Sequence, residues 1–453
     1  MKDQLVSRKN LIAVIAGTII AMVLILALTI RPTPNSDLNQ QGIENSDNLP
    51  NLNDGSLSIE LVAEGLDSPT SMRFLDASNI LVLQKNDGKV RLISNALLLA
   101  EPILQVNVAN EAERGLLGIA ISYSNGSGNG NQHQNSTVFL YLTEIVANSP
   151  DDESNELRNR VYKYTYDWEE KVLSNPALIL DLPGEPGPFH NGGKIAIGPH
   201  DGRLYVVIGD VNAGGGVLDN EFGGREPDDK SVILRVDQGT GLSLEDNPFY
   251  RNQSDGGTEK LGRYYAYGIR NGFGLDFDPI SHQLWMTENG EDTYDEINIV
   301  RPGLNSGWHK VMGPIARTNV TVENDLITFD RAKYEDPVFS WYDTIGVTDI
   351  AFVNSGMLGE KYKNNILVGD INNGNLYFFE VNEERTGLQF HDSRLSDLVA
   401  DPVPDDSPSE VSPVLFGTGF GRITDIETGP DGLVYVLTYE DGKIYRISKG
   451  AST

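Results

Sequence analysis

Apolar and polar positions fall into three regimes along this chain. Residues 11–30, LIAVIAGTIIAMVLILALTI, form an unbroken apolar run with the ~20 residues a helix needs to cross a ~30 Å hydrocarbon core. Residues 31–56 are polar, rich in Asn, Asp, Pro and Ser, and show no apolar period, which predicts a flexible linker. From residue 57 to 453 the pattern changes to short runs of Val, Ile, Leu and Tyr separated by DG, NG or NN pairs. Examples are NILVLQKNDGKVRLI (79–93), GRLYVVIGD (202–210), NNILVGDINNGNLYFFEV (364–381) and DGLVYVLTYEDGKIYRI (431–447). Such runs read as strands joined by hairpin turns, and no long 3.6-residue period follows the first apolar run.

About 400 residues of "strand, turn, strand" is more than one sandwich accommodates, so the body is expected to be all-β and radially repeated. A G-P-x-D-G turn opening residues 198–206 and the same turn without the extra residue, G-P-D-G, opening 429–436 occupy one repeat position twice. Six blades of roughly 65 residues fill the span, at the long end of propeller repeats, and a strand at 57–63 would pair with the last blade to close a six-bladed β-propeller. Residues 124–135 read as an outer hairpin loop, 210–230 as a rim or lid, and 383–413 as a long irregular segment.

Charge and composition narrow the function. The formal net charge is −30, nearly all of it on residues 57–453, which argues against a nucleic-acid partner. There is no cysteine, so disulfides, thiolate metal sites and cysteine nucleophiles are excluded. Lys2, Arg8 and Lys9 precede the apolar run and only Arg31 directly follows it. The positive-inside rule then leaves residues 1–10 in the cytoplasm, residues 11–30 as a single-pass anchor and the propeller outside. A cleaved signal peptide would export the same body, but the run is longer than a usual h-region and no A-x-A site follows.

Candidate chemistry centres on residues 184–210, GEPGPFHNGGKIAIGPHDGRLYVVIGD. His190, one of six histidines, sits there in a loop of Gly and Pro, with Gly192 and Gly193 leaving room for close approach. A second dense stretch holds YAYGIRNGFGLDFDP (265–279), TENGEDTYDEINIV (287–300) and GLNSGW (303–308).

Together with ERGLLGIA (113–120), HNGGKIAIGP, DNPF (246–249) and GRITDIETGPDG (421–432), these stretches resemble, in order, the soluble quinoprotein glucose/sorbosone (aldose) dehydrogenases. The resemblance implies pyrroloquinoline quinone over the propeller axis with calcium beneath it and a small sugar as substrate. His190 matches the general base, for which a neutral imidazole suits, since imidazole titrates near ~6.5 in water. Asp210 matches the carboxylate that orients it. Arg270 and Asn271 match the Arg-Asn pair at the cofactor, where a guanidinium stabilises charge developing on quinone oxygens. The carbonyls of Gly290 and Glu291 align with the calcium pair, and Asp292, Asp295 and Glu296 would add negative potential around it. A cytochrome or quinone acceptor at the outer membrane face lies within reach of the linker.

Four positions depart from the family pattern. Asn372 stands where the family has a cofactor-binding lysine. Near the C-terminus Arg422 is kept, but Thr424 replaces a second arginine. Glu291 replaces proline, and Ile269 replaces the histidine before Arg-Asn. Loss of two cations at a tricarboxylate site weakens binding unless Lys85 or Lys194 substitutes. Two further readings stay open: a propeller that binds glycan or protein without catalysis, and a metal-dependent lactonase using Asp210, Asp295 and Asp370.

Overall fold

The computed structural model describes residues 49–123, 136–149, 152–252, 259–404 and 407–450. The apolar run 11–30, with the flanking residues 1–10, most of the linker and the 124–135 loop, lies outside these residues. Among the described residues no helix is long and apolar enough to cross a membrane.

The body is an all-β propeller. Its strands form six sheets, almost wholly antiparallel and hairpin-linked. They open in chain order with Pro69–Asp76, Leu116–Ser122, Ile195–Ile197, Gly274–Phe277, Val347–Phe352 and Ile423–Thr428. Each of these first strands touches the first strand of the next sheet, and the last returns to touch the first. Leu57–Ala63 pairs antiparallel with Lys443–Lys449, so the beginning and end of the body share the final sheet, as the sequence predicts.

Burial explains why the strands read as nearly continuous apolar runs. Leu204–Ile208 and Val232–Val236 are buried along their whole length, because both faces of the sheet are covered by neighbouring sheets. One apolar cluster fills each gap between adjacent sheets. Phe139 and Tyr141 of the second sheet pack against Leu204 and Val206 of the third. Trp285, Phe339 and Trp341 pack against Val368 and Phe379. Tyr435 and Leu437 of the last sheet pack against Met72 and Val82 of the first. Burying one Leu, Val or Phe side chain stabilises by about 1.5–3 kcal/mol, so such seams hold neighbouring sheets together.

The G-P-x-D-G turn at 198–202 and the G-P-D-G turn at 429–432 are one device. Both join the first and second strands of a sheet, and a Cβ at Gly198 or Gly429 would lie 2.1 or 2.8 Å from Asp201 or Asp431 Oδ1. The other carboxylate oxygens accept from Tyr205 at 3.0 Å and Tyr435 at 2.8 Å.

One expectation needs correction. The linker ends before residue 56, because Asn51–Leu52 pairs with Leu415–Thr418 and Asn53 N–H donates to Phe416 O. Of the two readings left open for the 210–230 segment, its contacts favour the rim. Its buried Asn220 donates to Trp308 O at 2.6 Å and Asn305 Oδ1 at 3.0 Å, while His309 N–H donates to Asp219 O.

Candidate functional site

The loop before the third sheet carries His190 and is tied down before its side chain does any chemistry. Asn191 is fully buried. It donates to Pro188 O at 2.7 Å, accepts from Asn159 at 3.1 Å, and its carbonyl accepts from Tyr141 Oη at 2.9 Å. His190 adopts φ +62°, a left-handed conformation that a non-glycine residue keeps only where surrounding bonds enforce it.

The segment just past Leu204–Ile208, the second strand of that sheet, delivers Asp210. Its Oδ1 lies 2.6 Å from His190 Nδ1 and accepts from Asn212 N–H at 2.8 Å. Oδ2 accepts from Trp308 Nε1 at 3.0 Å. Both carboxylate oxygens are thus committed, and the imidazole is held with Nδ1–H toward the acid, which leaves Nε2 as the proton acceptor.

Arg270 and Asn271 arrive beside this pair through the backbone. Asp210 N–H donates to Arg270 O, and a Cβ on Gly209 would lie 2.2 Å from that same carbonyl, so only glycine permits the approach. The Arg270 guanidinium lies 5.3 Å from the Trp308 ring centroid and donates to Asn289 O at 3.0 Å. Its backbone N–H donates to Glu288 at 2.7 Å. Arg270 Nε and Asn271 Oδ1 are buried with no hydrogen-bond partner in the protein.

Glu113, from the loop before the second sheet, joins these groups. It accepts from His190 N–H at 2.6 Å and from Asn271 Nδ2 at 3.2 and 3.3 Å. Burial pushes its carboxyl up, against the pull of His190 and these donors. Sequence reading used Glu113 only as part of a fold motif and missed it as chemistry, as it missed Trp308 and Glu288. The available signal was an acid placed directly before an apolar strand.

Beside these residues lies a cavity of about 260 Å³. Glu113, Gly192, Asn289, Lys85, Arg422 and Thr424 are among the residues that line it. His190 is linked to this wall through Glu113 rather than lining it. Asn372 is exposed and off the wall, although its neighbour Ile371 is on it. Thr424 turns its hydroxyl to Pro69 O at 2.9 Å. Arg422 is half exposed, 3.7 Å from Glu440.

At the expected calcium turn, Gly290 is fixed by its N–H on Asp295 Oδ1 at 3.0 Å. The acidic neighbours do not act as read. Asp295 Oδ2 accepts from the backbone of Ile345, Gly346 and Val347 at 2.7–3.1 Å. Glu296 is buried, accepts from Asn298 and Gly313, and is pushed well up by burial and by neighbouring Glu288. Asp292 is exposed.

The lactonase constellation does not assemble. Asp370 is consumed by Tyr377, Asn373 and Gly374, Asp295 by backbone amides and Asp210 by His190 and Trp308. Among the described residues no group of three or more His, Asp or Glu is placed to hold a metal.

The sequence profile described as Glucose / Sorbosone dehydrogenase matches residues 66–446. The chain belongs to the glucose/sorbosone dehydrogenase family. It is 24% identical over 400 residues to the aldose sugar dehydrogenase YliI of Escherichia coli, covering 87% of this chain and 93% of that one. The solved soluble aldose sugar dehydrogenase of Escherichia coli, in its apo-form, superposes with a TM-score of 0.64 at 22% identity, over 87% of this chain and all of that one. The PQQ-bound aldose sugar dehydrogenase of Streptomyces coelicolor gives 0.60 at 23%, over 88% and 99%. These family members share the propeller on which the residues above are arranged.

Proposed function

We propose that this protein is a membrane-tethered, extracytoplasmic quinoprotein that oxidises an aldose at its anomeric hydroxyl to the lactone. Each of the six sheets is one blade of a six-bladed propeller. The observation that carries the reading is the His190–Asp210 pair at 2.6 Å, with Asp210 locked by Trp308 and Arg270 lying over the same indole. A loop histidine in a binding module has no need of an oriented, buried carboxylate.

The residues fit pyrroloquinoline quinone. Arg270 Nε and Asn271 Oδ1 are a buried donor and acceptor without protein partners, as required of groups that complete their bonds on a ligand. When bound, the cofactor supplies a two-electron acceptor for hydride. The protein's own work is proton handling and charge placement. His190 Nε2 takes the hydroxyl proton, and Asp210 stabilises the imidazolium that results. Arg270, stacked and unable to deprotonate, keeps a fixed positive charge where negative charge develops. The carbonyls of Gly290 and Glu291 would hold calcium, an oxygen-seeking cation. The anchor at residues 11–30 would keep the blades within reach of a membrane cytochrome or quinone.

Calorimetric titration of the purified full-length protein with the cofactor, with and without calcium, followed by aldose and a dye acceptor, tests this reading. Calcium-dependent binding and dye reduction that vanishes in His190→Ala are expected. Tight binding of a glycan with no dye reduction would favour a non-catalytic binding propeller instead.

A further inference from the structure

Two lysines line the cavity, and their charges are handled in opposite ways. Lys194 Nζ lies 2.7 Å from Asp349 and 2.6 Å from Asp425, all three buried. Burial pushes the Asp349 carboxyl well up, against the pull of the Lys194 ammonium beside it. Asp425 stays below the usual carboxyl range despite burial, because Lys194 and Arg73 face it. The charge of Lys194 is thus spent inside the protein.

Lys85 is only 7% exposed, yet it makes no ion pair among the described residues. Its ammonium donates to Asn86 Oδ1 at 2.9 Å and, at 3.3 Å, to Asn110 O, leaving one of three N–H groups uncommitted. Burial lowers its pKa, and Glu113 is the anion that offsets this. The stem is fixed in place. Lys85 N–H donates to Ser68 O and its carbonyl accepts from Leu116 N–H, while a Cβ on Gly115 would lie 2.5 Å from Lys85 Cγ. A rigid buried cation with no ion-pair partner in contact costs folding free energy, which an anion placed against it offsets.

We propose that Lys85 is the anchor for a carboxylate of a planar polyanionic ligand in this cavity, supplying the fixed cation absent at positions 372 and 424. The inference rests on the quinoprotein reading only for the identity of that ligand.

The test is calorimetry on the full-length apo protein, its Lys85→Gln variant and its Lys85→Arg variant. Each is titrated with pyrroloquinoline quinone at fixed calcium and, separately, with benzene-1,3,5-tricarboxylate. The glutamine variant should bind the quinone about 10- to 150-fold more weakly, the loss of one charged hydrogen bond, with a shallower salt dependence. Arginine should restore most of the affinity. The apo glutamine variant should unfold at or above the wild-type temperature, since a buried charge with no ion-pair partner has been removed; a lysine with a purely structural role would lower it.

Equal quinone binding by wild type and Lys85→Gln overturns the anchor and leaves the dehydrogenase reading standing. Wild type that ignores the quinone but binds the tricarboxylate through Lys85 overturns the quinone reading and keeps the anchor. Wild type that binds neither overturns the anchor as well.

Discussion

The two sides of the site are built to different standards of constraint. On the side formed by the second to fourth sheets, Glu113, His190, Asp210, Arg270, Asn271 and Trp308 are linked through side-chain and backbone bonds of 2.6–3.3 Å. On the side formed by the fifth and sixth sheets, Asn372 is exposed, Arg422 is half exposed and Thr424 bonds away from the cavity. Proton transfer fails if its partners drift by an ångström, so its geometry is over-determined. Carboxylate binding needs only a cation within reach, and that requirement can move around the cavity wall without disturbing the chemistry.

The comparison breaks most sharply at the base. His190→Ala should abolish sugar oxidation, and Asp210→Asn should lower kcat by roughly 10²–10⁴ through loss of the oriented tautomer. Calorimetric cofactor affinity should stay within a few-fold of wild type in Asp210→Asn if the two sides are independent.

On the loose side, Thr424→Arg should tighten cofactor binding by about tenfold or more, the worth of one charged hydrogen bond, with kcat unchanged. Unchanged affinity would mean that this wall faces substrate rather than cofactor. A smaller effect is expected from Trp308→Phe, which keeps a ring beneath Arg270 but removes the donor to Asp210. We expect kcat to fall about tenfold.

The smallest effect concerns stability alone. Burial raises Glu288 from 4.5 to about 7, so the folded protein holds a proton that the unfolded chain gives up at lower pH. This contribution is fully present below about pH 4.5 and is lost as the pH rises toward 7. The gap between wild-type and Glu288→Gln thermal midpoints should therefore change across pH 5–8 in favour of the variant, by a few °C, corresponding to on the order of 2 kcal/mol. A pH-independent gap would show that Glu288 carries no extra proton when folded.

Much of the fold was legible because it depends on neighbours in sequence. The hairpin pairs, the related G-P-x-D-G and G-P-D-G turns and the closing strand at 57–63 declare themselves within a dozen residues. His190 and Asp210 were legible through the family motif, helped by lying on the loop before one sheet and just past its second strand. Glu113 was not, because its partners lie 77 and 158 residues away on other sheets. Nor could sequence tell Lys85 from Lys194. What separates them is Asp425, 231 residues from Lys194 and brought to it only when the ring closes. The linker boundary was misplaced because Asn51–Leu52 is polar and short, and becomes a strand only by pairing with an edge that the far end of the chain provides.

The strand Leu57–Ala63 is among the first parts of the body to leave the ribosome, while its partner Lys443–Lys449 is the last strand made. A nascent chain therefore carries an unpaired β-edge for nearly its whole synthesis, and every truncated product keeps that edge open. That edge is covered only when translation has reached the final sheet, whose strand Lys443–Lys449 pairs with it.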